Sequence, residues 1–427
     1  MTERAFVFES GQIGVESPPG TAVAALKRLL CTGITFTPTI PVEPFRPFGS
    51  KAPTTAIARK ESAEGSIEGV LAYNDIVYLL SGLLGPATIA TPGGGTDVRR
   101  WTFLPKQFSA DNPKTFTIEK GSRYGAERLV YALINALSMH ISEEEATITG
   151  TIIGRGVTDD IQLSTNEQQT ITIDAESGTF TITFGGQTTG ALAWNAAASE
   201  VQTALEGLST IGTGNIVVTK AEMVYTLEFR NDLGQQEVAE VTTDATLLIK
   251  GAGVGTATVA TTVPGITPTS LAELPVSPKA VSIYVAATEA GLGAAKLTRC
   301  LDLTFGVSDR FSPLTTIDAA ESSWVAAAEK APTFEGGLVV EHNSVAAAMV
   351  ENLRNTDTRF MQILCSEGEI EEGFPYRIEV TFPFKFLSDE RGDQNDVYGS
   401  TFGFTPIYDS AFGGWLRVVV DNGLTAL

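Results

Sequence analysis

Two stretches of this chain follow one pattern, and a chain that repeats a structural unit has few architectures open to it. Residues 68–85 read EGVLAYNDIVYLLSGLLG. Val70 and Ala72 alternate with Leu71 and Tyr73, which is the period of a strand. Asn74 and Asp75 are both good helix N-caps. Ile76, Leu79, Leu80 and Leu83 follow at helical spacing, and Gly85-Pro86 ends the run. Residues 335–354 read EGGLVVEHNSVAAAMVENLR. Here Leu338-Val339-Val340 is strand-like and Asn343-Ser344 is the cap. Val345, Met349, Val350 and Leu353 make one helical face. The flanks correspond as well: residues 20–40 and 291–311 each join a Gly/Ala-rich start to a basic residue and a Thr/Phe strand. Arg28 matches Arg299 (299 − 28 = 271) and Glu68 matches Glu335 (335 − 68 = 267). Downstream, TFTIEKG (115–121) corresponds to MQILCSEG (361–368). The expectation is an internal duplication; the alternative is the chance likeness of two strand–helix segments.

Size and charge narrow the classes. A chain of 427 residues accommodates two or three domains. Its 42 glycines, with abundant Thr and Val, point to mainly β structure. Fifty acidic against 29 basic residues give a formal charge of −21. That argues against nucleic-acid binding by counterion release, which needs clustered Lys and Arg. Cys31, Cys300 and Cys365 are odd in number and far apart, so a disulfide framework is not expected and maturation in a reducing cytoplasm is. The start, MTERAFVFESGQIG, lacks the layout of a signal peptide, and no run reaches the roughly 20 apolar residues of a membrane span. The expectation is a soluble protein assembled inside a cell, with no membrane partner.

Along the chain, residues 5–14 and 26–36 read as strands. Residues 37–64 carry Pro38, Pro41, Pro44, Pro47 and Pro53, too many for a central sheet. A long loop of this kind is commonly functional. It reads as an arm to a neighbouring subunit, the alternative being a mobile surface loop. Residues 127–138 fit a helix or a strand; strands on both sides of the Glu143-Glu144-Glu145 turn are preferred. From 165 to 264 clean alternation at 169–173, 179–184, 215–219 and 224–229 marks half-buried antiparallel strands. One helix, about 197–208, buries Val201, Leu205 and Leu208. This is a domain-sized β-sandwich insert, leaving through Pro264, Pro268, Pro275 and Pro278. The expected divisions are 1–160, 161–268 and 269–427.

Chemistry is sparse. GAGVGT (251–256) has no Lys-Ser/Thr and runs into a strand, so a β-turn is the better reading than a phosphate loop. His140 and His342 belong to no zinc pattern. The Glu143-Glu144-Glu145 run and Glu369, Glu371 and Glu372 read as solvated turns. DERGDQND (389–396) is oxygen-rich but lacks the positions of a Ca²⁺ loop. Arg99-Arg100-Trp101 reads as a packing or interface element. No catalytic, cofactor-binding or metal residue is expected, no cofactor, and no enzymatic activity.

The segment IGVESPPGTAVAALKRL (13–29), the 68–85 unit, FTIEKG (116–121) and TGTIIGR (149–155) resemble major tail tube proteins of long-tailed bacteriophages. The likeness covers the chain outside about 160–270. Within the insert, TFTITFGGQTTGALAWNAAASEVQTALEGL (179–208) is similar to a small Ig-like β-domain found in phage tail and surface proteins. The resemblance implies a mainly β fold: two tandem tail-tube-type antiparallel sandwich or barrel domains, each with a flanking helix, plus the inserted sandwich. It further implies self-assembly into rings that stack as the hollow tube of a virion tail, built in the host cytoplasm. Tape measure, terminator and distal tail proteins would be its partners, and genomic DNA would pass through the lumen without specific binding. Two tube domains per chain imply three chains per pseudo-sixfold ring, with a formal charge of 3 × −21 = −63. The alternatives are another ring-forming tail component, a terminator or baseplate ring, or a bacterial surface β-domain protein.

Overall fold

Apolar side chains at every second position turn one face of each strand inward, and the insides of these strands make one core. A computed structural model describes residues 9–122, 125–161, 163, 166–234, 236–263, 265, 269–272, 274–394 and 396–427. The fold is mainly β, a sandwich or barrel with few helices. Of the expected first strand, 5–14, residues 5–8 lie outside the described residues, as do Pro264 and Pro268; residues 10–14 fall in the strand Ser10–Val15.

In the N-terminal part the main elements, besides the short strands Lys27–Leu29 and Thr88–Ala90, are β1 (Ser10–Val15), β2 (Gly33–Thr39), β3 (Val42–Phe45), β4 (Thr55–Ala58), β5 (Ser62–Val70), α1 (Ile76–Leu83), β6 (Arg99–Phe103), β7 (Phe116–Ser122), β8 (Gly125–Ser142), β9 (Ala146–Gly154) and β10 (Val157–Ile161). After the insert come β11 (Val281–Ala286), β12 (Cys300–Ser308), β13 (Phe311–Leu314), β14 (Ala326–Glu329), β15 (Thr333–Glu341), α2 (Ser344–Asn355), β16 (Arg359–Glu371), β17 (Phe374–Gln394), β18 (Val397–Pro406) and β19 (Arg417–Asn422). Residues 127–138 are strand, not helix: they lie within the 18-residue β8.

The two parts have the same strand order. In the first, hydrogen bonding runs β2–β5–β9–β8–β7–β1, with β10 also on β8. In the second it runs β12–β15–β18–β17–β16–β11, with β19 also on β17. Both long strands, β8 and β17, pair with one set of neighbours along their first part and another along their second. Both parts also place a helix after their second main strand, and a two-stranded hairpin before it: β3–β4 and β13–β14.

The structure corrects the expected matching of Glu68 with Glu335. Phe36 of β2 and Phe305 of β12 are both buried, and they pair with Gly65 and Gly336. The first-strand offset is 305 − 36 = 269 and the second-strand offset is 336 − 65 = 271. Glu335 therefore matches Glu64, and Glu68 matches Val339. A Cβ at Gly65 would lie 2.5 Å from the Thr35 carbonyl, and one at Gly336 2.5 Å from the Phe404 ring. Sequence similarity slid the match by four residues because Glu-Gly recurs along β5.

The helices differ despite their shared grammar. All eight residues of α1 are buried, as a helix apolar all round requires. Asp75 does not cap it; its Oδ2 accepts the Leu30 N–H (3.0 Å) instead. Asn343 does cap α2, accepting the N–H groups of Val345 and Ala346. Ala346, Met349 and Val350 are its buried residues, while the expected Val345 is exposed.

The proline-rich segment is not structureless. It forms the β3–β4 hairpin, whose strands are fully exposed. The insert has its own core, around Ile171, Phe180, Val201, Leu205, Tyr225 and Phe229. Its strands pair only with one another among the described pairings, and its helix is Ala198–Glu206. The flanking parts share one core and trade elements: β6, from the first, pairs with β19, from the second.

Candidate assembly interface and channel face

The two parts meet edge to edge. Residues 137–142 of β8 pair antiparallel with residues 302–307 of β12, from Leu137↔Val307 to Ser142↔Asp302. One sheet therefore runs β2–β5–β9–β8–β12–β15–β18–β17 through both parts.

The β13–β14 hairpin straps the junction. It leaves β12 and lies over a β-bulge at Asn135, between Ile134 and Ala136. The Phe311 N–H donates to Asn135 Oδ1 (2.8 Å) and the Arg310 N–H to the Asn135 carbonyl (3.2 Å). Phe311 and Trp324 are buried with Leu133, and the Trp324 ring lies 4.5 Å from that of Tyr131. Trp324 Nε1–H donates to the Gly154 carbonyl (2.9 Å), while Arg155 sits over both rings. Beneath, the guanidinium of Arg310 is almost fully buried. It holds Asp111 (2.9 Å) and Glu329 (2.8 Å) and donates to the Leu83 carbonyl at the end of α1. Burial is the main cause that raises the Asp111 carboxyl above its usual range; Arg310 pulls it down. A buried cation with two carboxylates and a carbonyl is held in one geometry, and removing the guanidinium would leave both carboxylates without a counter-charge.

One face of this sheet packs on the core and the other is polar. Rows of register partners cross it. One row is Gly33–Glu68–Thr149–Ser138–Gly306–Glu335. Another is Ser142–Asp302–Val339–Thr401–Glu390. A third is Val70–Thr147–His140–Thr304–Gly337–Gly403–Ser388. Glu64, Glu68, Glu335 and Glu390 are exposed on it, and none of these row positions is Lys or Arg. His140 Nε2 lies 2.6 Å from Asp302 Oδ2, across the junction of the two parts. The face is hollowed near its middle, where a 260 Å³ groove is lined by residues including Ser66, Glu68, Ser138, Thr149 and Glu335.

Other sequence candidates are structural. Arg100 makes a two-pronged pair with Asp421, and buried Trp101 donates to Asn422 Oδ1 (2.9 Å), which joins β6 to β19. His342 bonds Ser400 Oγ at the start of α2. Residues 251–252 turn a small hairpin. Asp389 pairs with Arg391, and Asp393 accepts the Asp396 N–H. Among the described residues no three metal-ligand side chains gather, and no helix is long and apolar enough to cross a membrane. Glu371 is more than a solvated turn residue: it binds the loop before β6, accepting from Thr96 Oγ1 and the N–H groups of Thr96, Asp97 and Val98. These bonds hold its carboxyl down at about 2. The junction itself was not found from sequence; its only local signal is the shared Leu/Ile-Thr-Phe of β2 and β12.

No family model matches the chain, and no curated protein matches it. Among solved structures, a chain from Mycobacterium phage Patience overlaps 31% of this chain and 58% of its own length, at 17% identity and a TM-score of 0.18. The overlap spans less than two thirds of that protein. At that score it bears on neither fold nor function.

Proposed function

We propose that this chain is a ring-forming structural protein of the β-sheet class. Within that class it is the subunit of a hollow tail tube of a virion, with no catalytic role. One observation carries the reading: a single sheet runs through two parts of like strand order, and both of its ends offer pairing edges. Among the described pairings β2 bonds β5 alone, and residues 389–394 of β17 bond β18 alone. Unpaired edges promote association, and a protein that keeps them has a use for them. Repeating the in-chain junction between chains is a heterologous contact, which closes to a ring when the rotation permits.

On this reading the parts flanking the insert are two tube domains, divided near 160 and 268, and three chains make a ring. The polar sheet face lines the lumen. Its carboxylates repel phosphate, and the three rows that cross it contain no Lys or Arg to hold it, so DNA slides without being held. Phe48 and Ile317 occupy one place on the two hairpin tips (317 − 48 = 269), and both are fully exposed. The tip of the docked hairpin is therefore as free as the other, and we assign both to the contact with the next ring. Tape measure, terminator and distal tail proteins would meet the tube ends.

Electron microscopy of the purified protein tests this. Hollow tubes of stacked rings, with three chains in the mass of one ring, are the expected outcome. Single rings that never stack would indicate a terminator or baseplate ring instead, and a stable monomer would end the reading.

A further inference from the structure

The junction inside the chain has a complementary, unused counterpart. The offsets that relate the two parts extend to the hairpins: Val42 to Phe45 of β3 maps onto Phe311 to Leu314 of β13 at 269, and Thr55 to Ala58 of β4 maps onto Ala326 to Glu329 of β14 at 271. Even the closing bond is kept. The Arg59 N–H donates to the Pro41 carbonyl, and the Lys330 N–H to the Arg310 carbonyl (41 + 269 = 310; 59 + 271 = 330). The host side repeats too. Gly150 and Phe402 both pair with the matched positions Ile67 and Leu338, an offset of 252. The bulge of β8 at Asn135 then falls on the bulge of β17 at Leu387, between Phe386 and Ser388 (387 − 135 = 252).

One donor–host pair is filled within the chain: β12 and its hairpin on the edge of β8. Among the described residues the other is empty on both sides. Val42 is 57% exposed, where its counterpart Phe311 is 5% exposed; Leu387 is 63% exposed. Ile40, Phe45 and Ile57 are exposed beside Val42, and Tyr408 is exposed on the second part, with the exposed ring of Phe108 against it. Apolar groups left in water on both halves of a matched pair fit each other.

Resting on the ring reading, we infer that the partner of this face is a second copy of the chain, bound in one defined register. Its β2 adds antiparallel to residues 389–393 of β17, pairing Asp389↔Pro38, Glu390↔Thr37, Arg391↔Phe36, Gly392↔Thr35 and Asp393↔Ile34. Its β3–β4 hairpin folds over the bulge, and Val42 covers Leu387. The contact is less polar than the one inside the chain. Pro41 stands where Arg310 holds its carboxylates, and Leu387 stands where Asn135 takes an amide. The junction between chains is thereby the reversible one of the two.

The test uses the full chain carrying Thr37→Cys with Glu390→Cys, which places two thiols directly opposite on the sheet face, within reach of a disulfide. Oxidation of the assembled protein should link nearly all chains covalently into closed oligomers. Each single variant, and Thr37→Cys with Gly392→Cys, two residues out of register, should link few. Tubes that link only in the displaced pair, or in neither, overturn this register and leave the ring reading standing. Wild-type protein that stays monomeric overturns both. Should the double variant fail to fold, Leu387→Asp decides: an unchanged melting temperature with at least tenfold loss of assembly is expected, and normal tubes would overturn the contact.

Discussion

Asn135 and Leu387 occupy the same β-bulge in the two parts of the chain, yet Asn135 is covered by the Phe311 hairpin and Leu387 faces solvent. The difference locates the finished junction and the unfinished one. The side chains that build the finished one give the first two predictions.

Arg310→Met should lower stability by about 3–5 kcal/mol, because it leaves the buried Asp111 and the half-buried Glu329 facing each other without their cation. Neutralising all three, with Asp111→Asn and Glu329→Gln added, should recover most of that loss. Denaturant titration of the variants measures both, and a triple variant no better than the single one would contradict this account.

Trp324→Ala should cost about 3–5 kcal/mol, as removal of a buried aromatic does. It should also loosen Arg155, which lies over both the Trp324 and Tyr131 rings. Amide exchange along β13 and β14 should quicken more than exchange in the insert; equal changes would place the effect elsewhere.

Asp75 supplies a pH dependence with a definite sign. Burial among α1 and its neighbours raises its carboxyl from 3.8 to about 6, against the opposing pull of the Leu30 N–H. A folded value above the unfolded one means that its contribution is complete below about pH 4 and is lost as pH rises through about 6. The loss amounts to about 3 kcal/mol at neutral pH. Asp75→Asn should flatten the stability profile between pH 4 and 7 relative to the native chain. Parallel profiles would refute the assignment.

Glu371 gives the opposite sign. Its carboxyl is held at about 2 by the Thr96 hydroxyl and the backbone N–H groups of Thr96 and Val98. The bonds persist above about pH 4.5 and are lost as pH falls toward 2. Exchange of the Thr96, Asp97 and Val98 amides should accelerate across that window. Glu371→Ala should show the fast rates at neutral pH.

Replacing residues 166–263 with a short Gly/Ser linker should leave the rest folded. Gln168 and Val263 are register partners, so the insert begins and ends at one place, and its core is its own. Tubes of the shortened chain should be slimmer in outline, with the same lumen. Insoluble protein would show that the insert supports the fold.

Local patterns reached as far as local physics does. Alternation gave the strands of the insert, a 3.6-residue period gave α1 and α2, and the Glu143-Glu144-Glu145 turn separated β8 from β9, because each depends on residues a few positions apart. The repeat was visible for the same reason, though its register was not: Glu64 and Glu68 are equal candidates until Gly65 is seen against Thr35 and Gly336 against Phe404. Tertiary structure alone decided that β8 meets β12, that β6 joins β19, and that Arg310 closes a buried cluster with Asp111 about 200 positions away. Those pairings are chosen by which edges and charges remain unsatisfied once the local elements exist, and no short window of sequence records that remainder.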